Sequence, residues 1–212
     1  MSTREIFARI ARRYDTLNRV LSLGREQHWR RAGARYLPPG RILDLGAGTG
    51  AAAPLFGDRG VVALDPAIEM LSLNLAHLRV AAVGEALPFR GESFDGVFSA
   101  YVLRNLDSLA RSLDEVARVL RPGGVLVVVE LGRPVGRLAR LVHRAGTAVV
   151  LPLAGLSVGA RREYAYLHRS LDRYPPPAEL FADAPLTLEH AWRMGPLGFV
   201  YGAVLRKPLL RA

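Results

Sequence analysis

Apolar residues fall into short runs separated by glycine, proline and charged turns, and the runs alternate between strand-like and helix-like spacing. The clearest begins at Arg41. There the β-type run Ile42-Leu43-Asp44-Leu45 meets the glycine-rich turn Gly46-Ala47-Gly48-Thr49-Gly50, after which a helix is expected. Val61-Val62-Ala63-Leu64-Asp65 predicts a second strand, and residues 66–78 a helix with Pro66 in its tolerated first turn. Residues 80–83 and 94–102 read as a third and a fourth strand. From Asp107, a plausible N-cap, Leu109, Leu113, Val116, Ala117 and Leu120 recur at helical spacing until Arg121-Pro122-Gly123-Gly124 stops them. A buried strand at 125–129 follows, and 186–194 with 199–205 read as two closing strands around Gly195-Pro196. Strands alternating with helices in this way predict an α/β, doubly wound, mostly parallel seven-stranded sheet covered on both faces.

Two segments stand outside that alternation. Residues 1–40 read as a helical cap, with Ile6, Phe7, Ile10, Ala11 and Tyr14 on one face, and residues 133–175 read as a helical insertion before the last two strands. Both are expected to cover the carboxyl edge of the sheet, where such folds bind ligands. The expected division is therefore one domain over 1–212: cap at 1–40, cofactor-binding core at 41–132, substrate-side insertion at 133–175, and a closing helix and strand pair at 176–212.

Composition narrows the chemistry. The chain has no cysteine, which removes disulfides, thiolate metal sites and cysteine nucleophiles, and fits a reducing cytoplasm. Residues 1–13 alternate charged and apolar positions, unlike a secretory signal, and the longest uncharged run, 145–160, is broken by Pro152 and is short of a bilayer span. The five histidines show no metal-ligand spacing, so no metal site is expected. The net charge of +10 is unevenly spread: 1–41 carries +7 and 131–173 carries +6, while 42–130 carries −4. Basic cap segments of this kind suit peripheral contact with an anionic membrane surface, although solvated helix faces explain them equally well.

The glycine turn lets the backbone approach a ligand closely and is by itself compatible with a dinucleotide, since Ala51 completes Gly-x-Gly-x-x-Ala and Asp65 lies where a ribose-binding acid is expected. Asp44 shifts the balance. An acid in an apolar strand end needs a partner, and a sulfonium with an α-amino group provides one, whereas a pyrophosphate would be repelled. The plainer alternative is that Asp44 and Asp65 merely cap a turn and a helix.

Asp44-Leu45-Gly46-Ala47-Gly48-Thr49-Gly50 with Asp65 resembles the first motif and ribose acid of class I S-adenosylmethionine-dependent methyltransferases, and Glu85-Ala86-Leu87-Pro88-Phe89 with Phe94-Asp95 resembles a later motif and fourth strand of theirs. Further stretches are similar to the ubiquinone/menaquinone biosynthesis C-methyltransferase family. They are Tyr14-Asp15-Thr16-Leu17-Asn18 with Ser22, Gly24 and Trp29; Leu103-Arg104-Asn105; Arg118-Val119-Leu120-Arg121-Pro122-Gly123-Gly124 with Glu130; and Tyr164, Tyr166-Leu167 and Ser170. Leu17 replaces a methionine, Glu26 takes a histidine position with His28 two residues on, Val83 stands where an acid or amide faces adenine, and Ala100 replaces a serine.

The resemblance implies a Rossmann-like class I fold and methyl transfer from S-adenosylmethionine, leaving S-adenosylhomocysteine, to a ring carbon of a prenylated hydroquinone. It places cofactor contacts at Asp44, Gly46, Gly48, Thr49, Gly50, Asp65, Val83, Gly84, Glu85 and Ala100. It places catalysis at Arg104, Asn105 and Tyr14, with the always-charged arginine acting electrostatically or through an oriented water. A lipophilic quinol is then the partner, nucleic acid is not expected, a homodimer is allowed, and the location is cytoplasmic, peripheral at the membrane's inner face. Rival readings are a class I methyltransferase acting on another small molecule, a nucleic-acid methyltransferase, supported by basicity alone, an NAD-dependent oxidoreductase, and a silent S-adenosylmethionine-binding protein.

Overall fold

A computed structural model describes residues 19, 22, 24–157, 171 and 175–209. The N-terminal part of the expected cap, including Tyr14, and the segment holding Tyr164, Tyr166, Leu167 and Ser170 lie outside the described residues. The elements in chain order are α1 (Glu26–Ala34), β1 (Arg41–Leu45), β2 (Gly60–Leu64), α2 (Ile68–Leu71), β3 (Leu78–Val80), β4 (Phe94–Ala100), α3 (Leu109–Val119), β5 (Leu120–Leu131), α4 (Arg137–Ser157), α5 (Pro177–Leu180), β6 (Thr187–Met194) and β7 (Val200–Arg206).

The seven strands form one sheet in the order β3-β2-β1-β4-β5-β7-β6. β1 to β5 are mutually parallel, and β7 runs antiparallel between β5 and β6. Val125 to Glu130 are buried without interruption, as expected of a central strand covered on both faces. One face buries Leu43, Leu45, Leu64, Leu113, Val116 and Leu126, and the other buries Trp29, Phe56, Phe98, Val127 and Val129.

α1 packs on this second face. Its Gly33 is the reason it can approach so closely, since a Cβ there would stand 2.6 Å from Val129 Cγ2. Glu26 in its first turn and Arg31 in its last complement the helix dipole. Gln27 Nε2 donates to Ala51 O at 2.8 Å, which ties the helix to the far end of the glycine turn.

Several local expectations are corrected. The glycine turn is followed by a single 3-10 turn, Ala53–Leu55, instead of an α-helix. The helix expected at 66–78 is only α2, and the third strand begins earlier, at Leu78. Asn74 explains both: its side chain accepts from Ala76 N at 2.9 Å and donates to Gly48 O at 3.1 Å, and such local bonds compete with helix. The fourth strand stops at Ala100, and the N-cap of α3 is Ser108, which accepts from Arg111 N at 3.3 Å, rather than Asp107. β5 begins at Leu120, before the Arg121-Pro122-Gly123-Gly124 stop, and its register with β4 jumps from Phe94↔Leu120 to Gly96↔Val125 to absorb those residues.

Candidate active site

β1 and β4 are neighbours at the point where the strand order turns back, and ligands of doubly wound sheets bind at the carboxyl ends of the strands there. A cavity of about 320 Å³ opens at this place. β1 contributes Asp44 and Leu45, β2 leads into Asp65, and β4 ends in Ala100, followed by Tyr101, all of them lining the cavity.

The glycine turn is held from beneath. Gly46 N and Ala47 N both donate to Leu64 O, at 2.8 and 2.9 Å. Gly46 has φ +70°, and a Cβ on it would lie 2.3 Å from Val102 Cγ2, so the position admits no side chain. Asp65 Oδ2 accepts from Gly48 N at 3.0 Å and its Oδ1 from Ala67 N at 2.8 Å. It thus clamps the turn to the end of β2 while lining the cavity. Burial raises its carboxyl pKa above the usual range against these two bonds.

Asp44 is more deeply buried. Desolvation raises its pKa to about 7, opposed by the charge of Arg30 and reinforced by Asp65. Arg30, from α1, is buried at the cavity wall with its guanidinium 4.9 Å from the centre of the Tyr101 ring. Its Nη1 has no hydrogen-bond partner among the described residues. Tyr101 adopts φ +66°, an uncommon conformation for a non-glycine residue, while its N–H donates to Val129 O at 2.8 Å.

Val83 and Gly84 also line the cavity, next in sequence to Glu85, whose Oε1 accepts from Asp107 N and Ser108 N at 2.8 and 3.1 Å. Of the residues singled out from sequence, Asp44, Gly46, Gly48, Thr49, Asp65, Val83, Gly84, Glu85, Ala100 and Asn105 line the cavity together. Gly50 and Arg104 do not line it. Arg104 instead forms an ion pair with Glu130, fully buried at the end of β5. Burial raises the Glu130 pKa, with Arg104 and the Leu131 N–H drawing it back down. Asn105 is held by a 3.1 Å bond from Nδ2 to Tyr101 O. Among the described residues no three histidine, aspartate or glutamate side chains group as a metal ligand set would.

Arg30 and Tyr101 are among the wall residues that sequence reasoning missed. Arg30 carried a usable signal, an arginine one position after Trp29 in a stretch whose apolar neighbours face the sheet. Tyr101 carried none, because its backbone conformation follows from the turn at the end of β4.

The model of the ubiE/COQ5 methyltransferase family matches residues 2–187. A demethylmenaquinone methyltransferase of Roseiflexus castenholzii is 35% identical over 201 residues, covering 88% of this chain and 83% of that protein. One of Mycobacterium marinum is 38% identical over 183 residues, covering 82% and 79%. Among solved structures, a SAM-dependent methyltransferase of Thermotoga maritima shares the fold with a TM-score of 0.70 at 20% identity, over 96% of this chain and 98% of that one. With a matching family model over most of its length and relatives above one-third identity, the chain belongs to the ubiE/COQ5 methyltransferase family and is an S-adenosylmethionine-dependent methyltransferase of class I fold.

Proposed function

We propose that the protein methylates a ring carbon of demethylmenaquinol, working as one methyltransferase domain from the cytoplasmic surface of a membrane, with residues 1–40 and 133–175 as covers over the cavity. The observation that carries this reading is the pairing of a buried acid, Asp44, with a half-buried one, Asp65, on one cavity in a chain whose relatives are named demethylmenaquinone methyltransferases.

The residues fit S-adenosylmethionine. Asp44 offers a carboxylate to the cationic methionine end, Asp65 offers oxygen acceptors to the ribose hydroxyls, and Arg30 Nη1 is a buried donor for the amino-acid carboxylate. Without an acid or amide at Val83, the adenine edge falls to Gly84, Glu85 and nearby backbone. A dinucleotide fits poorly, because a pyrophosphate needs a helix N-terminus after the glycine turn and here only the 3-10 turn Ala53–Leu55 follows.

The bound cofactor supplies an already activated methyl group. The acceptor carbon becomes nucleophilic when a neighbouring hydroxyl loses its proton, so the site must favour a phenolate. Asn105, which lines the cavity, orients that oxygen or a water beside it in this reading. Arg104 acts from behind the wall, its guanidinium fixed by Glu130, contributing positive potential and holding the segment that carries Asn105.

The test is methyl transfer in detergent micelles, with S-adenosylmethionine and either demethylmenaquinol or a desmethyl benzoquinol, read as the mass gain of one methylene unit. Transfer to the naphthoquinol is expected. Cofactor binding without transfer to either quinol would assign the enzyme another acceptor.

A further inference from the structure

Over residues 139–147, α4 is attached to the body of the protein along one narrow seam. Ala139, His143 and Thr147, spaced four residues apart, are its half-buried positions among residues 137–150. Arg133 reaches His143 Nδ1 at 3.2 Å and Thr147 Oγ1 at 2.9 Å, and the His143 ring stacks on Phe199 with centroids 5.1 Å apart. The rest of this stretch faces outward.

What it presents outward is apolar. Leu138 is 75% exposed, Leu141 65%, Val142 53% and Val149 60%. At 3.6 residues per turn these four, with the exposed Ala145, fall within an arc of about 100° on the side away from the seam. Scattered exposed leucines need no explanation, but a row of them along one helix face does. Arg137, Arg140 and Arg144 occupy an arc of about 60° between the seam and the apolar face, and α4 contains no aspartate or glutamate.

An apolar stripe bordered by arginines and free of acids is the pattern of a helix lying in the plane of a bilayer interface, with its apolar side at the acyl boundary and its cations among anionic headgroups. No helix among the described residues is long and apolar enough to cross a membrane. A second copy of this chain fits less well, because a two-fold pairing through this face would bring the two arginine rows together with no acid on α4 to meet them.

We propose that α4 is a membrane-docking helix whose exposed Leu138-Leu141-Val142-Val149 face enters the outer part of an anionic leaflet while Arg137, Arg140 and Arg144 engage lipid phosphates. This deepens the quinol reading by naming the surface through which the enzyme would reach a lipid-borne acceptor, and rests on that reading only for its purpose.

The experiment is co-sedimentation of the full chain with phosphatidylglycerol-containing vesicles and with pure phosphatidylcholine vesicles, at low and high salt. The wild-type protein should pellet with the anionic vesicles only and be released by salt. Leu138→Gln/Leu141→Gln and Arg137→Glu/Arg144→Glu should each lower the partition coefficient about tenfold or more. Leu138→Gln/Leu141→Gln should keep the wild-type thermal melting and S-adenosylhomocysteine affinity. Absence of the wild type from both pellets, or unchanged pelleting of Leu138→Gln/Leu141→Gln, overturns the proposal. So does a dimer by ultracentrifugation that the leucine variant dissociates while vesicle binding is absent. A wild type that binds vesicles and S-adenosylhomocysteine yet methylates no quinol would instead overturn the acceptor, leaving the docking surface in place.

Discussion

The Arg30 guanidinium lies 4.9 Å from the centre of the Tyr101 ring, and both residues are buried at the cavity wall. The strained turn at the end of β4 thereby serves as a seat for a cation delivered by α1. If Arg30 holds the carboxylate of the cofactor, Arg30→Gln should weaken S-adenosylhomocysteine by about 1.5–3 kcal/mol, the range for charge-assisted bonds. Binding of 5′-methylthioadenosine, which lacks the amino-acid part, should hardly change. Calorimetry with both ligands checks it, and equal losses for the two would show Arg30 to be a structural support.

Asp44 predicts a pH dependence of stability. Its pKa is about 7 in the fold against 3.8 as a reference, so between these values the native state keeps a proton that the unfolded chain has lost. Its stabilising contribution is complete below pH ~4 and is lost as pH rises through 7. A shift of this size bounds the effect at about 4 kcal/mol. Asp65 and Glu130, also raised by burial, add a slope of the same sign. Urea unfolding between pH 5 and 8 should show stability falling with pH, more weakly in Asp44→Asn. An identical slope in that variant would exclude Asp44 as the titrating group.

The buried Arg104–Glu130 pair ties the role proposed for Arg104 to the stability of the fold. Glu130→Ala should cost about 3–5 kcal/mol in urea titrations, because it strands a buried guanidinium, and Arg104→Met/Glu130→Leu should cost less than that single change. Arg104→Lys keeps the charge but not the planar fork, so turnover should fall far more than cofactor affinity. Unchanged turnover would remove Arg104 from the chemistry.

Asp65 both lines the cavity and ties Gly48 N to Ala67 N. Asp65→Ala should weaken S-adenosylhomocysteine by about 1.5–3 kcal/mol in calorimetry. It should also lower the melting temperature, because two backbone donors lose their acceptor. NADH should bind neither protein; micromolar binding of NADH to the wild type would contradict the assignment of the acids.

Local patterns in the sequence carried the strand order of events along the chain, the glycine turn, and the two acids that flank it. Each is written in consecutive residues: an apolar run such as Ile42-Leu43-Asp44-Leu45 suits a buried parallel strand, and a turn such as Gly46 to Gly50 is a turn in most contexts. The tertiary structure decided what such patterns cannot. Leu71, Leu75 and Leu78 recur at helical spacing within 66–78, yet Leu75 is 94% exposed and the segment is broken by Asn74, whose carboxamide is claimed by Gly48, 26 residues away. Arg104 looked like a cavity residue because it ends the strand that builds the wall, but it turns to Glu130, 26 residues on, since a guanidinium at that depth is cheapest beside a buried carboxylate. Arg30 packs on Tyr101, with its charge acting on Asp44, because Gly33 lets α1 settle on Val129. Backbone preference is a property of neighbours in sequence, whereas the partner of a buried charge is chosen by desolvation among neighbours in space.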